Sequence, residues 1–214
     1  MYGQFNKTTR HLRTALVAGF AMGMLAVPMM SHAMDIYGGL SLGQARHETT
    51  GGDLLGGGFS GTVDGNDGGW KGFVGLELWD KYVGAEFGYA HLGKATAKGT
   101  VSGGGSVSSA TSENNAYTAS AVGLIPFGGG QSGATIRLGV AGTQVYVNTT
   151  GPIGPGGVSS ARGSDIKLFG GLGAQYYFSK TIGMRLEVDR YNMGSVGSPY
   201  VNMISAGLVY QFEK

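Results

Sequence analysis

Apolar residues recur at every second position in the last segment of the chain, at Ile204, Ala206, Leu208, Tyr210 and Phe212, with small or polar residues between them. A period of two places successive side chains on opposite faces of a β-strand. The segment is therefore predicted to be a strand with one apolar face. The aromatic residues at its end, Tyr210 and Phe212, favour a position at a membrane–water interface.

The same alternation recurs in seven earlier segments, each of about the length that crosses a bilayer when tilted. Together with the final strand, which ends at Phe212, these segments predict an all-β protein, an eight-stranded antiparallel up-and-down transmembrane β-barrel. The seven predicted strands are Ile36–Arg46, Trp70–Trp79, Tyr82–Leu92, Ala116–Ile125, Ala134–Val147, Asp165–Phe178 and Ile182–Tyr191. The residues predicted to face lipid are Val74, Leu76, Phe87, Leu138, Leu186 and Leu208.

Long and short connections alternate between these strands. Three long connections, His47–Gly69, Gly93–Asn115 and Asn148–Gly163, are rich in Gly, Ser and Thr. Transmembrane barrels have long extracellular loops and short periplasmic turns. We therefore expect the three long connections outside the cell, with too little apolar content to form a core and no role in folding.

The first 33 residues have the pattern of a secretory signal peptide. Residues 1–13 carry three basic residues and no acid, Thr14–Met30 is uncharged, and Ser31–Ala33 provides a small-x-small cleavage site. A membrane-anchoring helix is the alternative, but glycine and proline interrupt the apolar run. The pattern predicts export through the inner membrane, cleavage after Ala33 and one barrel domain over residues 34–214.

Charge and composition narrow the function classes. Three of the 15 Lys and Arg residues and none of the 13 acids precede residue 34, so the barrel segment is nearly neutral and has no basic cluster for nucleic acid. Charged residues make up 13% of the chain, well below the average for soluble domains, and 43 residues are glycine. A second apolar span of helical length is missing, which excludes a helical membrane protein. The lack of cysteine excludes disulfides.

Four segments of the chain resemble the OmpA-like transmembrane barrels of Gram-negative outer membranes. They are Tyr37–Gly43, Lys81–Tyr89, Arg185–Glu187 and Ser205–Phe212, and their order and spacing cover the predicted barrel. The resemblance implies a location in the cell outer membrane. It also implies that periplasmic chaperones and the barrel-assembly machinery are partners during biogenesis. Because a closed barrel satisfies its own strand edges, we expect a monomer.

Alternation also assigns several polar residues to the inside of the barrel. Opposite charges there should pair, because an unpaired charge in a narrow lumen is costly. The resemblance implies a bridge between Glu86 and Arg185 that plugs the lumen, and we expect Glu187 or Arg137 as second partners. In that family, a Lys on the fourth strand and a second Glu on the sixth strand can exchange partners with the bridge. These positions are Val122 and Gln175 in this chain, which favours a structural network over gating by exchange of partners. The residues predicted inside are Glu86, Arg137, Lys167, Gln175, Arg185 and Glu187.

Three functional classes follow from this reading. The leading hypothesis is a non-enzymatic outer-membrane protein with a structural role, in contact with outer-membrane lipid and with an extracellular or host surface ligand through its loops. A narrow channel for small solutes or ions is the first alternative. A lipid-modifying enzyme is the second, with His91 as its one candidate base. We expect no cofactor and no metal, because His47 and His91 have no acid or cysteine at ligand spacing.

Overall fold

The computed structural model describes residues 35–79, 82–101, 104–127, 130–153, 160–194 and 199–212. All of them belong to one compact unit, Met34–Lys214. The predicted signal peptide, residues 1–33, lies outside the described residues. Among the residues described, no helix is long and apolar enough to cross a membrane.

Nine strands and one short helix make up the described chain. The helix α1 spans Gly51–Leu55. The strands are β1 Ile36–Glu48, β2 Phe59–Asp64, β3 Asn66–Trp79, β4 Val83–Val101, β5 Gly104–Pro126, β6 Gly133–Thr150, β7 Ala161–Tyr177, β8 Ile182–Asn192 and β9 Tyr200–Phe212.

Eight of these strands form a closed antiparallel ring. The order is β4, β3, β1, β9, β8, β7, β6 and β5, and pairing of β5 with β4 closes it. The first and last strands pair from Ile36 with Phe212 to Glu48 with Tyr200. The ninth strand, β2, lies beside β4 beyond the first residue of β3. It pairs only with the last six residues of β4, Thr96–Val101. The predicted eight-stranded antiparallel barrel is confirmed.

The barrel has two unlike ends. Short connections join β3 to β4, β5 to β6 and β7 to β8 at one end, which we call the short-turn end. The opposite end, called the hairpin end, carries α1, β2 and the connections from β6 to β7 and from β8 to β9. The paired ends of β4 and β5 also lie there.

The segment Gly93–Asn115, predicted to be a loop, is mostly strand. β4 continues to Val101 and β5 begins at Gly104, so the two strands form a long hairpin. The residues on the inner face of this hairpin are small, such as the buried partners Ala97 and Ala110, rather than large and apolar. Because the hydrophobic contrast between the two faces is small, the period of two is hard to recognise in the sequence.

The segment His47–Gly69 also differs from the expected loop. Thr50 and Asp53 form a capping box at the start of α1, with Thr50 N donating to Asp53 Oδ2 at 2.7 Å. The helix ends at Leu55, and the capping residue Gly56 donates its N–H to Gly52 O at 3.0 Å and then leaves the helix with a φ of 89°, which favours glycine. Leu54 and Leu55 are fully buried. The expectation that this segment has too little apolar content to pack is therefore wrong.

The outer wall of the ring is aliphatic. Val74 is 54% exposed and Leu138 68%, and Leu186 and Leu208 are exposed as well. Leu76 and Phe87 lie half-buried on the same outer face. Near the short-turn end, Tyr210 and Phe212 are half-exposed and their rings meet edge to face at 5.2 Å.

Candidate functional site: the barrel lumen

Six charged side chains from four strands meet in the part of the lumen nearer the short-turn end. We call this group the ionic layer. All six are buried, and their formal charges balance. The group consists of Lys71 on β3, Glu86 on β4, Arg137 on β6, and Arg185, Glu187 and Asp189 on β8.

Arg137 is the centre of the ionic layer, because its guanidinium contacts all three acids. Nη1 lies 3.3 Å from Glu86 Oε2, and Nη2 lies 2.6 Å from Glu187 Oε1. Nη2 also contacts Asp189. The planar guanidinium has five N–H donors, which makes arginine suited to joining several carboxylates. One side chain therefore connects the acids of two facing strands.

Glu86 joins the second arginine to this centre. Its Oε1 accepts from Arg185 Nη1 at 2.5 Å and from the Tyr37 hydroxyl at 2.9 Å. Arg185 Nη2 donates to Gln175 Oε1 at 2.9 Å. The Arg185 guanidinium also lies over the Phe73 ring, with Cζ 4.5 Å from the centroid. Both oxygens of Glu86 are thus occupied by cations.

Two members of the ionic layer were not singled out in the sequence. Lys71 Nζ lies 2.7 Å from Glu187 Oε2 and contacts Asp189. Both Lys71 and Asp189 have the inward parity of their strands, so alternation alone could have found them. Lys167, which was assigned to the inside, lies outside the layer. Its side chain is 36% exposed and pairs with Asp165 at 3.1 Å, away from the six charged residues of the layer.

Glycines on the inner wall make room for the large lumen side chains. A Cβ on Gly171 would lie 2.0 Å from Asp189 Oδ1. A Cβ on Gly75 would lie 2.2 Å from the Tyr37 ring. Neither position could accept even a methyl group without displacing a neighbour. The abundant glycine of this chain therefore serves lumen packing as well as turns.

A second layer closes the lumen nearer the hairpin end. We call it the apolar layer, and it continues from strand residues to α1. Phe169 and Tyr191 stack with their centroids 5.4 Å apart, and Leu54 and Leu55 enter from α1. The other buried members are Ala45, Ala90, Leu92, Ala97, Val101, Ala110, Ala116, Ala141, Val145, Val147, Met193, Val201 and Met203.

His47 fixes one polar edge of the apolar layer. Its Nε2 lies 2.9 Å from Leu92 O, and its Nδ1 lies 3.0 Å from Asn114 Nδ2. A carbonyl accepts and an amide nitrogen donates, so Nε2 carries the hydrogen and the ring is neutral. His47 therefore has a structural role in this layer.

A small cavity opens below the ionic layer at the short-turn end. It is lined by Tyr37, Thr135, Gln175, Tyr177 and Arg185 among others. Its volume of about 20 Å³ is enough for roughly one water molecule. Arg185 is the one member of the ionic layer in its lining, and no residue of the apolar layer lines it.

The candidate base His91 lies outside the lumen on β4. Its Nδ1 donates to Asn115 Oδ1 at 2.7 Å, and Tyr89 donates to the same oxygen at 3.1 Å. Among the described residues, no hydrogen bond joins His91 to a serine or a carboxylate. The same part of the chain contains no group of His and acidic residues that could hold a metal ion.

Comparisons with known proteins agree with this architecture. The structure of Neisserial surface protein A has 15% identity and a TM-score of 0.51, with 85% of this chain and 100% of that one covered. The N-terminal β-barrel domain of Pseudomonas aeruginosa OprF has 15% identity and a TM-score of 0.50, with 83% and 97% covered. At these identities the likeness shows the fold alone. No curated protein matches the chain in sequence.

The model of one family matches nearly the whole chain. Its description is "Outer membrane protein beta-barrel domain", and the match spans residues 14–212. That range includes all eight strands of the closed ring. The fold class and the resemblance stated from the sequence are both confirmed. With its closed ring, aliphatic outer wall and charged lumen, the chain belongs to the outer membrane protein β-barrel domain family.

Proposed function

We propose that this outer-membrane barrel is a closed, non-enzymatic structural protein that uses its hairpin end for contacts at the cell surface. The observation that carries the proposal is the filled lumen, in which an ionic and an apolar layer follow one another. A filled barrel does not offer a path for solutes. The parts left to meet other molecules are then the outer wall, which contacts lipid, and the hairpin end.

The length of β4 and β5 supports an extracellular role for the hairpin end. A tilted strand needs about 9–11 residues to cross the bilayer core. β4 has 19 residues and β5 has 23. The excess lies at the hairpin end and extends the sheet beyond the membrane. Its outer face carries Lys94, Lys98 and Glu113, which suits contact with a polar surface ligand.

Single-channel recording tests the closed lumen. The purified, folded barrel should show no steady conductance in a planar bilayer. A variant with α1 replaced by an equal length of Gly and Ser should remain closed as well, because the ionic layer consists only of strand residues. Steady conductance of the wild-type protein would overturn the structural role and support a channel.

Two measurements on intact cells test the surface role. Protease added outside should cut within the connections of the hairpin end and leave the membrane-embedded barrel. Cells whose protein has residues 94–113 replaced by a short Gly-Ser turn should adhere less to host-cell surfaces than cells with the wild-type protein. Cleavage only after permeabilisation contradicts the orientation, and equal adherence contradicts the surface contact.

A narrow channel is the second candidate function. The cavity at the short-turn end favours it, because Arg185 and Gln175 of the lumen line that cavity. Passage would require Arg185 to leave Glu86, which breaks a buried ion pair. Brief conductance bursts that become longer in Glu86→Gln would support this function over the closed structural one.

A further inference from the structure

A groove runs along the outer wall over strands β6, β7 and β8. Its floor is Gly170, which pairs with Leu138 on one side and with Arg190 on the other. Leu168, Leu172 and Val188 stand around this floor, and all three are exposed. Because Gly170 has no side chain, the groove is open between these aliphatic walls.

The groove ends at a change from aliphatic to polar residues on three adjacent strands. Outward residues change from Val188 to Arg190 on β8 and from Ile204 to Asn202 on β9. On β1, Arg46 is the outward residue that pairs with Asn202. On β8 and β9 the change falls at one level, because Arg190 and Asn202 are partners across the sheet, and on β1 the outward face is already polar at Gln44, one step before Arg46. This level is where lipid headgroups are expected at the membrane interface.

The polar end of the groove has a net positive charge. Arg190 Nη2 lies 3.1 Å from Glu48 Oε2, and Asn202 Nδ2 donates to Glu48 Oε1 at 2.7 Å. The Arg190 Cζ lies 4.3 Å from the centroid of Tyr200, and the Arg190 side chain remains 54% exposed. Arg46 is exposed and has no ion pair among the described residues. Two arginines and one carboxylate therefore give this end a formal net charge of +1.

A second groove on the same wall lacks this charge. It lies on the other side of Leu172 and Val188, with Ala206 on its floor and Leu186 and Ile204 in its walls. Among the described residues that line it, no charged side chain faces outward, whereas Arg190 lines the first groove, so the second groove can hold an acyl chain but offers no charge to a headgroup. The difference between the two grooves is Arg190.

We propose that the groove over Gly170 binds one anionic lipid that carries a phosphate in its headgroup, with an acyl chain between Leu138 and Leu172 and the phosphate at Arg190. The aliphatic walls match a hydrocarbon chain, and the guanidinium donates charge-assisted hydrogen bonds to phosphate oxygens. Glu48 weakens the site because it neutralises part of the charge of Arg190. The inference rests on embedding in the membrane and is independent of the proposed surface contacts.

Native mass spectrometry of the detergent-solubilised barrel tests the site. The probes are phosphatidylglycerol and phosphatidylcholine with identical acyl chains, added in equal amounts. The wild-type protein should retain one phosphatidylglycerol molecule in preference to phosphatidylcholine. Equal retention of the two lipids would overturn the proposal. A heat-dependent shift on a detergent gel confirms for each variant that the barrel is folded and separates loss of the site from loss of the barrel.

Two charge variants should change retention in opposite directions. Arg190→Gln should lower retention of phosphatidylglycerol roughly tenfold, the effect of losing a hydrogen bond to a charged group. Glu48→Gln should raise it, because Arg190 is then free of its carboxylate. If the ion pair is only structural, both variants change retention in the same direction, and that result would overturn the site.

Two glycine variants test the groove itself. Gly170→Leu fills the floor and should lower retention as much as Arg190→Gln does. Gly72→Leu is the matched control on β3, because an added Cβ at either glycine would first meet the terminal methyl of a leucine, Leu138 at 3.3 Å or Leu40 at 3.1 Å. Gly72→Leu should leave retention unchanged. Equal losses in the two variants would contradict the groove.

Discussion

The ionic and apolar layers close the same lumen in different ways. The ionic layer consists only of residues from the strands of the ring, so the wall and the plug are a single structure. The apolar layer takes Leu54 and Leu55 from α1, a segment between β1 and β2 that does not belong to the ring. Breaking the first layer therefore acts on the ring, whereas breaking the second can release α1 and leave the ring closed.

The two layers also differ in how they respond to the loss of one group. In a buried ion cluster, removal of one partner leaves an uncompensated charge, so the cost is large and depends on what else is removed. In an apolar cluster, the cost follows the volume lost and the ability of the site to collapse. Mutations in the two layers should separate these behaviours.

Neutralising Glu86 is expected to have the largest effect. Glu86→Gln leaves two buried arginines with fewer carboxylates and should lower the free energy of unfolding by about 3–5 kcal/mol. The double variant with Arg185→Met should lose less than Glu86→Gln alone. In that variant Arg137 and Lys71 still balance Glu187 and Asp189.

Urea unfolding of the refolded barrel in lipid vesicles measures this coupling in a double-mutant cycle. Additive effects of Glu86→Gln and Arg185→Met would show that the two groups are hydrated separately, and the ionic layer would then not act as one unit.

Shortening Leu55 in the apolar layer is expected to lower the free energy of unfolding by less than Glu86→Gln does. Leu55→Ala should lower the free energy of unfolding by about 2 kcal/mol, the low end of the range for buried leucine, because α1 can detach and relieve the cavity. The same urea titration measures the change. Val63→Ala on the exposed strand β2 is the control and should remain within about 0.5 kcal/mol of the wild type. A loss as large as that of Glu86→Gln would mean that α1 is required for the ring.

Adding one methyl group beside the ionic layer should lower the free energy of unfolding by less than neutralising Glu86 does. Gly171→Ala places a Cβ 2.0 Å from Asp189 Oδ1 and should cost about 1–3 kcal/mol through overpacking. Gly123→Ala, whose added Cβ would lie 4.0 Å from the nearest atom, Ile136 O, should be nearly neutral in the same unfolding titration. If both variants unfold at the same urea concentration as the wild type, the layer is looser than its contacts indicate.

The smallest effect is expected for an ion pair outside the lumen. Lys94 and Glu113 lie 3.5 Å apart with side chains 52% and 38% exposed. Lys94→Gln should change the unfolding free energy by less than about 0.5 kcal/mol, because water and salt screen the pair. Comparison of its unfolding curve at low and high salt tests this. A loss of several kcal/mol would remove the contrast between buried and exposed pairs.

The barrel could be predicted from the sequence because alternation with a period of two separates the inner from the outer face in one segment of each of the eight ring strands. The same parity assigned Glu86, Arg137, Arg185 and Glu187 to the inside. The specific contacts could not be predicted in this way. That Arg137 on β6 contacts Asp189 on β8 depends on the stagger of strands across the barrel, which local sequence does not specify.

Two elements at the hairpin end differ from the sequence prediction for different physical reasons. In the parts of β4 and β5 near the hairpin end, inner and outer residues have nearly the same hydropathy, so the alternation is weak. The helix α1 is only one turn long, too short for a helical period. The capping-box spacing of Thr50 and Asp53, followed by the apolar pair Leu54 and Leu55, was the available signal.

Pairing of β1 with β9 has a consequence for the order of events during folding. The ring closes between residues more than 150 positions apart in the chain, such as Ile36 and Phe212. Every other neighbouring pair in the ring joins strands that are close in the chain, with α1 and β2 as the intervening segment between β1 and β3. Until β9 reaches β1, the growing sheet has two open edges whose N–H and C=O groups can pair with another chain. The slow, non-local step of ring closure thus determines how long the folding chain is exposed to aggregation.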